Sequence, residues 1–307
     1  MVEMVTSIGI AFKETKHMKQ INIAVCLFGQ IRTGVYCAPA IKAAYDYVDG
    51  KTFNINLNGR IQECIIKVDY FFWTKEGQTV GQFIGKTYEE QAGTVDLTDL
   101  EKLTEIYKPK LQGITKIENE PQLVQNNSLI EWNFGKPLML GIVSAINLKQ
   151  QHELSTGIRY DLCICQRFDV VTEPFSPIEK IIREHGITTE VIYFAWFSKF
   201  WEEDGAWGAG DFWFGGDSYS IDMMSANISQ YLIDSTRSDI DLNESQQFLG
   251  PNVMLFNAAK RTNSLLKLLQ GLNAGPVRPE ADLTLDVMDK NTAKKHVKFY
   301  VDNHPGL

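Results

Sequence analysis

The sequence predicts an α/β fold: a mixed, mainly parallel sheet flanked by helices. Two long apolar, β-branched runs carry this expectation, residues 21–28 (INIAVCLF) and 160–171 (YDLCICQRFDVV), which read as strands buried on both faces. Helical runs alternate with strand-like segments along the rest of the chain, the pattern of a largely parallel sheet with some antiparallel mixing. No internal repeat and no linker interrupts it. The expectation is one domain over residues 21–307, preceded by a poorly ordered extension over residues 1–20, where no period is visible.

Taken in order, the first strand ends at Phe28 and turns through Gly29, Gln30, Ile31, Arg32 and Thr33. A helical run follows to about Tyr47, with Thr33 as its N-cap. Two strand-like segments lie between Phe53 and Thr74, the second over 63–73 (ECIIKVDYFFW). A helix over 97–107 must stop before Pro109, because the residue before proline disfavours helical torsions. Leu138, Met139, Ile142, Val143 and Ile146 recur at helical spacing and predict an amphipathic helix ending near Thr156 and Gly157. The strand over 160–171 comes next, then a short helix within 174–186 and a strand over 190–196. A loop rich in glycine and aromatics spans 196–217, and helices follow near 220–236 and 244–259.

Composition narrows the function classes. With 30 Lys and Arg against 38 Asp and Glu the net charge is −8, which argues against nonspecific binding to nucleic acid or an anionic membrane. No run approaches the ~18–20 continuous apolar residues of a membrane span, and no basic segment precedes an apolar one at the N-terminus. The expectation is a cytoplasmic protein. Five cysteines, Cys26, Cys37, Cys64, Cys163 and Cys165, sit mostly in apolar strand-like runs and read as buried reduced thiols. The Cys163-x-Cys165 pair lacks zinc spacing and has no neighbouring histidine.

Three constellations carry chemistry. Phe28-Gly29-Gln30-Ile31-Arg32-Thr33 follows a buried strand and opens a helix, where ligands of open α/β sheets sit. Glycine admits a ligand close to the backbone, the helix start favours an anion, and Arg32 can fork onto phosphate oxygens. Its plainer reading is an ordinary strand-to-helix turn. Arg167 and Asp169 share one strand face, ~7 Å apart, so a cation and a carboxylate leave an apolar strand together. They suit a diphosphate and a divalent cation or sugar hydroxyls, or else form a structural ion pair. The segment 196–217 (WFSKFWEEDGAWGAGDFWFGGD) gathers Trp207, Trp213 and Asp211 among glycines. Aromatic faces and a few carboxylates suit a sugar pocket, with Asp211 as a candidate general base; alternatively the aromatics complete the core. Trp73 and Thr74 end the second core strand and can flank a nucleobase, or simply pack. Glu244 opens a helix, as a ligand contact or as a cap.

In order along the chain, these pieces resemble a family of GT-A-type glycosyltransferases from microbial and viral genomes. Its motifs are F-G-Q-x-R (Phe28 to Arg32), V-D-x-F-x-x-T (Val68 to Thr74) and Y-D-x-x-x-x-x-R-x-D (Tyr160 to Asp169). D-x-x-F-G (Asp211 to Gly215) and an E-x-x-x-x-L helix start (Glu244 to Leu249) complete the set. The resemblance spans residues 21 to about 260. It implies a GT-A-like, Rossmann-like fold, a nucleotide-sugar donor and a glycan-type acceptor. Donor contacts would fall to Phe28, Gly29, Gln30, Arg32, Trp73, Thr74, Arg167 and Asp169, with Asp169 also the metal or donor ligand. Acceptor contacts would fall to Trp207, Trp213 and Glu244, with Asp211 catalytic. Arg167 occupies the first acidic position of a D-x-D, which leaves dependence on Mn²⁺ or Mg²⁺ open. A nucleotidyltransferase and a noncatalytic carbohydrate-binding or assembly protein remain alternatives on the same sheet.

Overall fold

In this computed structural model the described residues are 18–29, 31, 34–76, 82–83, 86–87, 97–116, 127–173, 176–195, 197–199, 207–234, 251–270 and 272–276. Along them run β1 (Lys19–Phe28), α1 (Gly34–Asp46), β2 (Thr52–Leu57), β3 (Arg60–Glu76), β4 (Gln82–Phe83), β5 (Lys86–Thr87), α2 (Leu97–Tyr107) and β6 (Leu111–Lys116). The chain continues through α3 (Asn127–Thr156), β7 (Leu162–Arg167), β8 (Val170–Glu173), α4 (Pro177–Glu184) and β9 (Val191–Phe194). It ends with β10 (Phe197–Lys199), β11 (Trp207–Ala209), β12 (Trp213–Asp217), α5 (Ser218–Asp234), α6 (Pro251–Lys260), β13 (Leu265–Leu268) and β14 (Asn273–Pro276).

Eight strands form the central sheet in the order β13-β9-β12-β7-β1-β3-β2, with β6 also paired to β3. At 17 residues β3 is long enough to carry β1 on one edge and, in succession, β2 and β6 on the other. The β1–β3, β1–β7, β3–β6 and β9–β13 ladders are parallel, whereas β2–β3, β7–β12 and β9–β12 are antiparallel. The expected mainly parallel sheet is therefore corrected to a mixed one. Two local causes account for it. Asn58 and Gly59, at φ 49° and 90°, make a two-residue turn that can join only antiparallel strands. β12 then inserts against the direction of both β7 and β9.

Side chains alternate between two cores. Ile21, Ile23, Val25 and Leu27 face α1, α2 and α4, while Ala24, Cys26 and Phe28 face α3, α5 and α6. Burial on both faces explains why β1 is nearly all apolar. α4 starts at a Ser176 cap: its hydroxyl accepts from the Glu179 N–H at 3.4 Å, and Pro177 takes the first helical position. Among the described residues, no helix is long and apolar enough to cross a membrane.

Three local expectations change. The strand expected over 160–171 is two strands, because the chain leaves the sheet at Phe168 and Asp169, and β8 pairs with β14 instead. Phe168 turns into the core and meets Phe72 edge-on at 5.6 Å, while Gln166 Nε2 donates to the Val170 carbonyl at 2.7 Å and fixes the break. The segment expected as a loop over 196–217 contains a β10–β11 hairpin and the fully buried β12. Its glycines serve close packing: a Cβ on Gly216 would stand 2.3 Å from the Val191 carbonyl oxygen. Lys19 and Gln20, assigned to the extension, belong to β1; residues 1–17 lie outside the described residues.

The connections create a switch point. From β1 the chain passes through α1 to β3 and β6 on one side, then through α3 to β7 on the other side of β1. α1 and α3 lie on opposite faces. The crevice beyond the carboxyl ends of β1 and β7 is where open α/β sheets receive ligands.

Candidate functional site

At that crevice the ends of three parallel strands and the start of one antiparallel strand meet. β1 delivers Phe28 and Gly29, β3 delivers Trp73 and Thr74, and β7 delivers Arg167. Because β12 runs against β7, its beginning lies at the end of β7: Trp213 pairs with Gln166, and the Arg167 N–H donates to the Phe212 carbonyl at 3.1 Å. This places Asp211 beside Arg167, although 44 residues separate them in sequence.

Arg167 is the centre of the cluster. Its Nε and Nη2 donate to Asp169 Oδ1 and Oδ2 at 2.9 and 2.7 Å, a two-point clamp, and Nη1 reaches Asp211 Oδ2 at 3.3 Å. The guanidinium carbon lies 5.1 Å from the centre of the Phe212 ring. Arg167, Asp169 and Asp211 side chains are 14%, 2% and 10% exposed, so one cation and two carboxylates share a mostly dry site. Burial pushes the Asp211 carboxyl above the usual range, and the Arg167 charge pulls it partly back. Gly29 lies alongside at φ 98°, with a virtual Cβ 4.0 Å from Arg167 Cγ. Its carbonyl accepts from Thr74 Oγ1 at 3.0 Å, which ties the ends of β1 and β3 together.

The structure thus brings together Phe28, Gly29, Thr74, Arg167, Asp169 and Asp211. It packs two tryptophans into the cores. Trp213 is fully buried on the opposite sheet face, where its indole N–H donates to Tyr45 Oη at 2.9 Å. A ring enclosed in that way has no face for an acceptor, which corrects its expected stacking role. Trp73 is nearly buried between Gly113 and Gly141: a Cβ on either glycine would approach its ring within 3.0 and 3.2 Å. That packing corrects the expected base contact. Gln30, Arg32 and Glu244 lie outside the described residues, and of Trp207 only the backbone, in β11, is described.

A divalent cation, left open by the sequence, would meet a donor set in which both carboxylates face Arg167. Asp169 presents both oxygens to the guanidinium, and Asp211 turns to the same group, so Arg167 already stands where a metal would bridge them. Among the described residues, no set of three carboxylates or imidazoles converges on a shared point.

Two contributors escaped sequence reasoning. Phe212, which supports Arg167, lay inside a recognised motif but could be given a task only once the β7–β12 pairing was known. Gly141 stands 3.6 Å, by its virtual Cβ, from the Gly29 nitrogen. Its signal was available: glycine inside an apolar helical pattern is costly and marks a close approach. No protein-family model matches the chain, and no curated protein resembles it closely enough in sequence to count as a relative.

Proposed function

We propose that this protein is a GT-A-type glycosyltransferase that moves a sugar from a nucleotide-sugar donor to the hydroxyl of a glycan-type acceptor. The observation that carries the reading is the Asp169–Arg167–Asp211 cluster beside the Gly29 backbone, at the switch point of the sheet. Asp169 holds the fork of Arg167 in a fixed plane. The longer Nη1 contact to Asp211 is the one a donor phosphate displaces. Arg167 then stabilises charge on the departing diphosphate, an electrostatic role already organised before reaction. Asp211, released, accepts the proton of the acceptor hydroxyl if the sugar inverts. Its raised pKa brings it nearer the range of a working base.

The strand order supports the same reading at the level of fold, since one antiparallel strand beside β7 carries Asp211 back to the donor end. A nucleotidyltransferase needs two metal-binding carboxylates near the phosphates, and here both candidates face an arginine. The proposed place of action is the cytoplasm.

A thermal-shift screen of UDP-, GDP-, CMP- and dTDP-sugars, each with and without Mn²⁺, tests the proposal. A donor at one hundred times its dissociation constant stabilises by about 2.7 kcal/mol. The expected result is a shift with one base only, unchanged by Mn²⁺ and lost in Arg167→Met. No shift with any donor overturns donor binding. A shift without transfer or hydrolysis of the sugar points to a noncatalytic carbohydrate-binding protein.

A further inference from the structure

Away from the crevice, three cysteines converge inside the core. Cys26 on β1 lies in register with Cys165 on β7, and Cys163 precedes Cys165 by two residues on the same face. All three are fully buried, and their Sγ atoms lie within 4.8 Å of one another, with Cys26 and Cys163 at 3.7 Å. The positions flanking Cys163 across the sheet are Ala24 on β1 and Gly216 on β12. Small neighbours on both sides leave room at Cys163, Phe71 and Phe214 flank Cys26 and Cys165, and the three thiols lie close together between them.

A metal with M–S bonds of ~2.3 Å in a trigonal plane holds its sulfurs ~4 Å apart, by the geometry of an equilateral triangle. The Cys26–Cys163 separation of 3.7 Å lies close to that value, and no pair in the trio exceeds 4.8 Å. The surroundings are also more polar than an apolar core requires. Lys149 of α3 is fully buried, with Nζ bonded to Asp222 Oδ1 and Oδ2 at 2.9 Å each, 3.2 Å from Glu153 Oε2, and donating to Ser218 Oγ.

We propose that Cys26, Cys163 and Cys165 form a binding site for a soft monovalent ion, Cu(I), held by three sulfurs. Softness selects thiolate over oxygen ligands. Coordination number separates Cu(I) from zinc, whose structural sites close with a fourth ligand. The carboxylates around Lys149, Glu153 and Asp222, are committed to its ammonium, and none joins the three sulfurs. Binding replaces S–H bonds by Cu–S bonds and releases up to three protons, with no change of oxidation state. The Lys149 ammonium partly offsets the negative charge left on the complex. The site is independent of the crevice, so it stands whether or not the protein transfers sugars.

The test is an anaerobic titration of the reduced full chain with Cu(I) held by a chromogenic chelator, incubated long enough for α3 and α5 to breathe. One equivalent should leave the chelator, with an ultraviolet thiolate-to-copper charge-transfer band and a raised melting temperature. Cys163→Ser and Cys165→Ala should each weaken binding by at least about 10–100-fold, the loss typical even of outer partners at metal sites. Cys37→Ser and Cys64→Ser should leave it unchanged, since both cysteines lie outside the trio. If Cys163→Ser fails to fold, Cys165→Ala and Cys26→Ala decide, because each shortens a side chain without adding a polar atom. No withdrawal of copper, or equal weakening in Cys64→Ser, overturns the proposal.

Discussion

Replacing Lys149 by methionine keeps most of the volume and removes one charge from the interior. What it leaves is worse than what it takes. Glu153 is 4% exposed and Asp222 26% exposed, and both would lose the ammonium they face. Burial alone would lower the Lys149 pKa, yet the Cys163 and Asp222 charges reverse that and raise it. The partners thus more than offset the desolvation of the ammonium. Removing one member of such a group costs about 3–5 kcal/mol, because a buried charge loses its main counter-charge. With a urea m-value on the order of 3 kcal/mol/M, the unfolding midpoint should fall by ~1–1.7 M at unchanged slope. Adding Asp222→Asn and Glu153→Gln to Lys149→Met should recover a large part of the loss, since an uncharged group of similar shape is tolerated. Arg183→Met is the control: its pair with Glu179 lies on the surface, with the arginine 65% exposed, and its loss should cost less than ~1 kcal/mol. A Lys149→Met midpoint within ~0.3 M of the parent, or a triple variant worse than the single one, would refute the reasoning.

Other expectations follow from single contacts. Gly216→Ala would push a Cβ to 2.3 Å from the Val191 carbonyl, so it should destabilise by ~3 kcal/mol or more and reduce the yield of folded protein. Trp213→Phe should destabilise by ~2–4 kcal/mol in urea unfolding, through lost volume and the lost N–H donor to Tyr45 Oη, which keeps Gln166 Oε1 as its acceptor, and leave donor KM unchanged. Asp211→Asn should alter the pH dependence of stability. Since the folded pKa of Asp211 is raised, the native state binds its proton before the unfolded chain does, and stability contributed by that uptake is lost as pH rises through the folded pKa. The variant should therefore compare more favourably with the parent at pH 7 than at pH 4 in parallel melts. An opposite ordering would mean that Arg167 outweighs burial at this carboxylate.

Much of this architecture is legible in one sequence because its signals are local. The helix over Leu97–Tyr107 has the bounds that Pro109 sets, and β1 declares itself by being apolar at both parities. Arg167 and Asp169 stand out because charges rarely follow an apolar strand unpaired. The role of Trp213 was not legible. A tryptophan beside glycines suits a sugar pocket and a central strand equally, and only the pairing of β12 with β7 and β9 decides between them. The break after Arg167 was hidden for the same reason, since Val170 and Val171 continue the strand pattern while pairing elsewhere. The thiol trio needed a partner 137 residues from Cys163, a distance no spacing rule covers.

The hairpin turn at Asn58 and Gly59 has a reach beyond its own two residues. β3 runs without interruption from that turn to Thr74, a span of ~50 Å at strand rise. A slip of one residue at the turn would exchange the faces of every side chain along it. Phe72 and Tyr70 would leave one core for the other, and Thr74 could no longer meet the Gly29 carbonyl. The hairpin closes with little loss of chain entropy and forms in microseconds, well before β1 can find β7 across more than a hundred residues. The alignment of the crevice is thus tied to the register of a turn at the opposite end of β3.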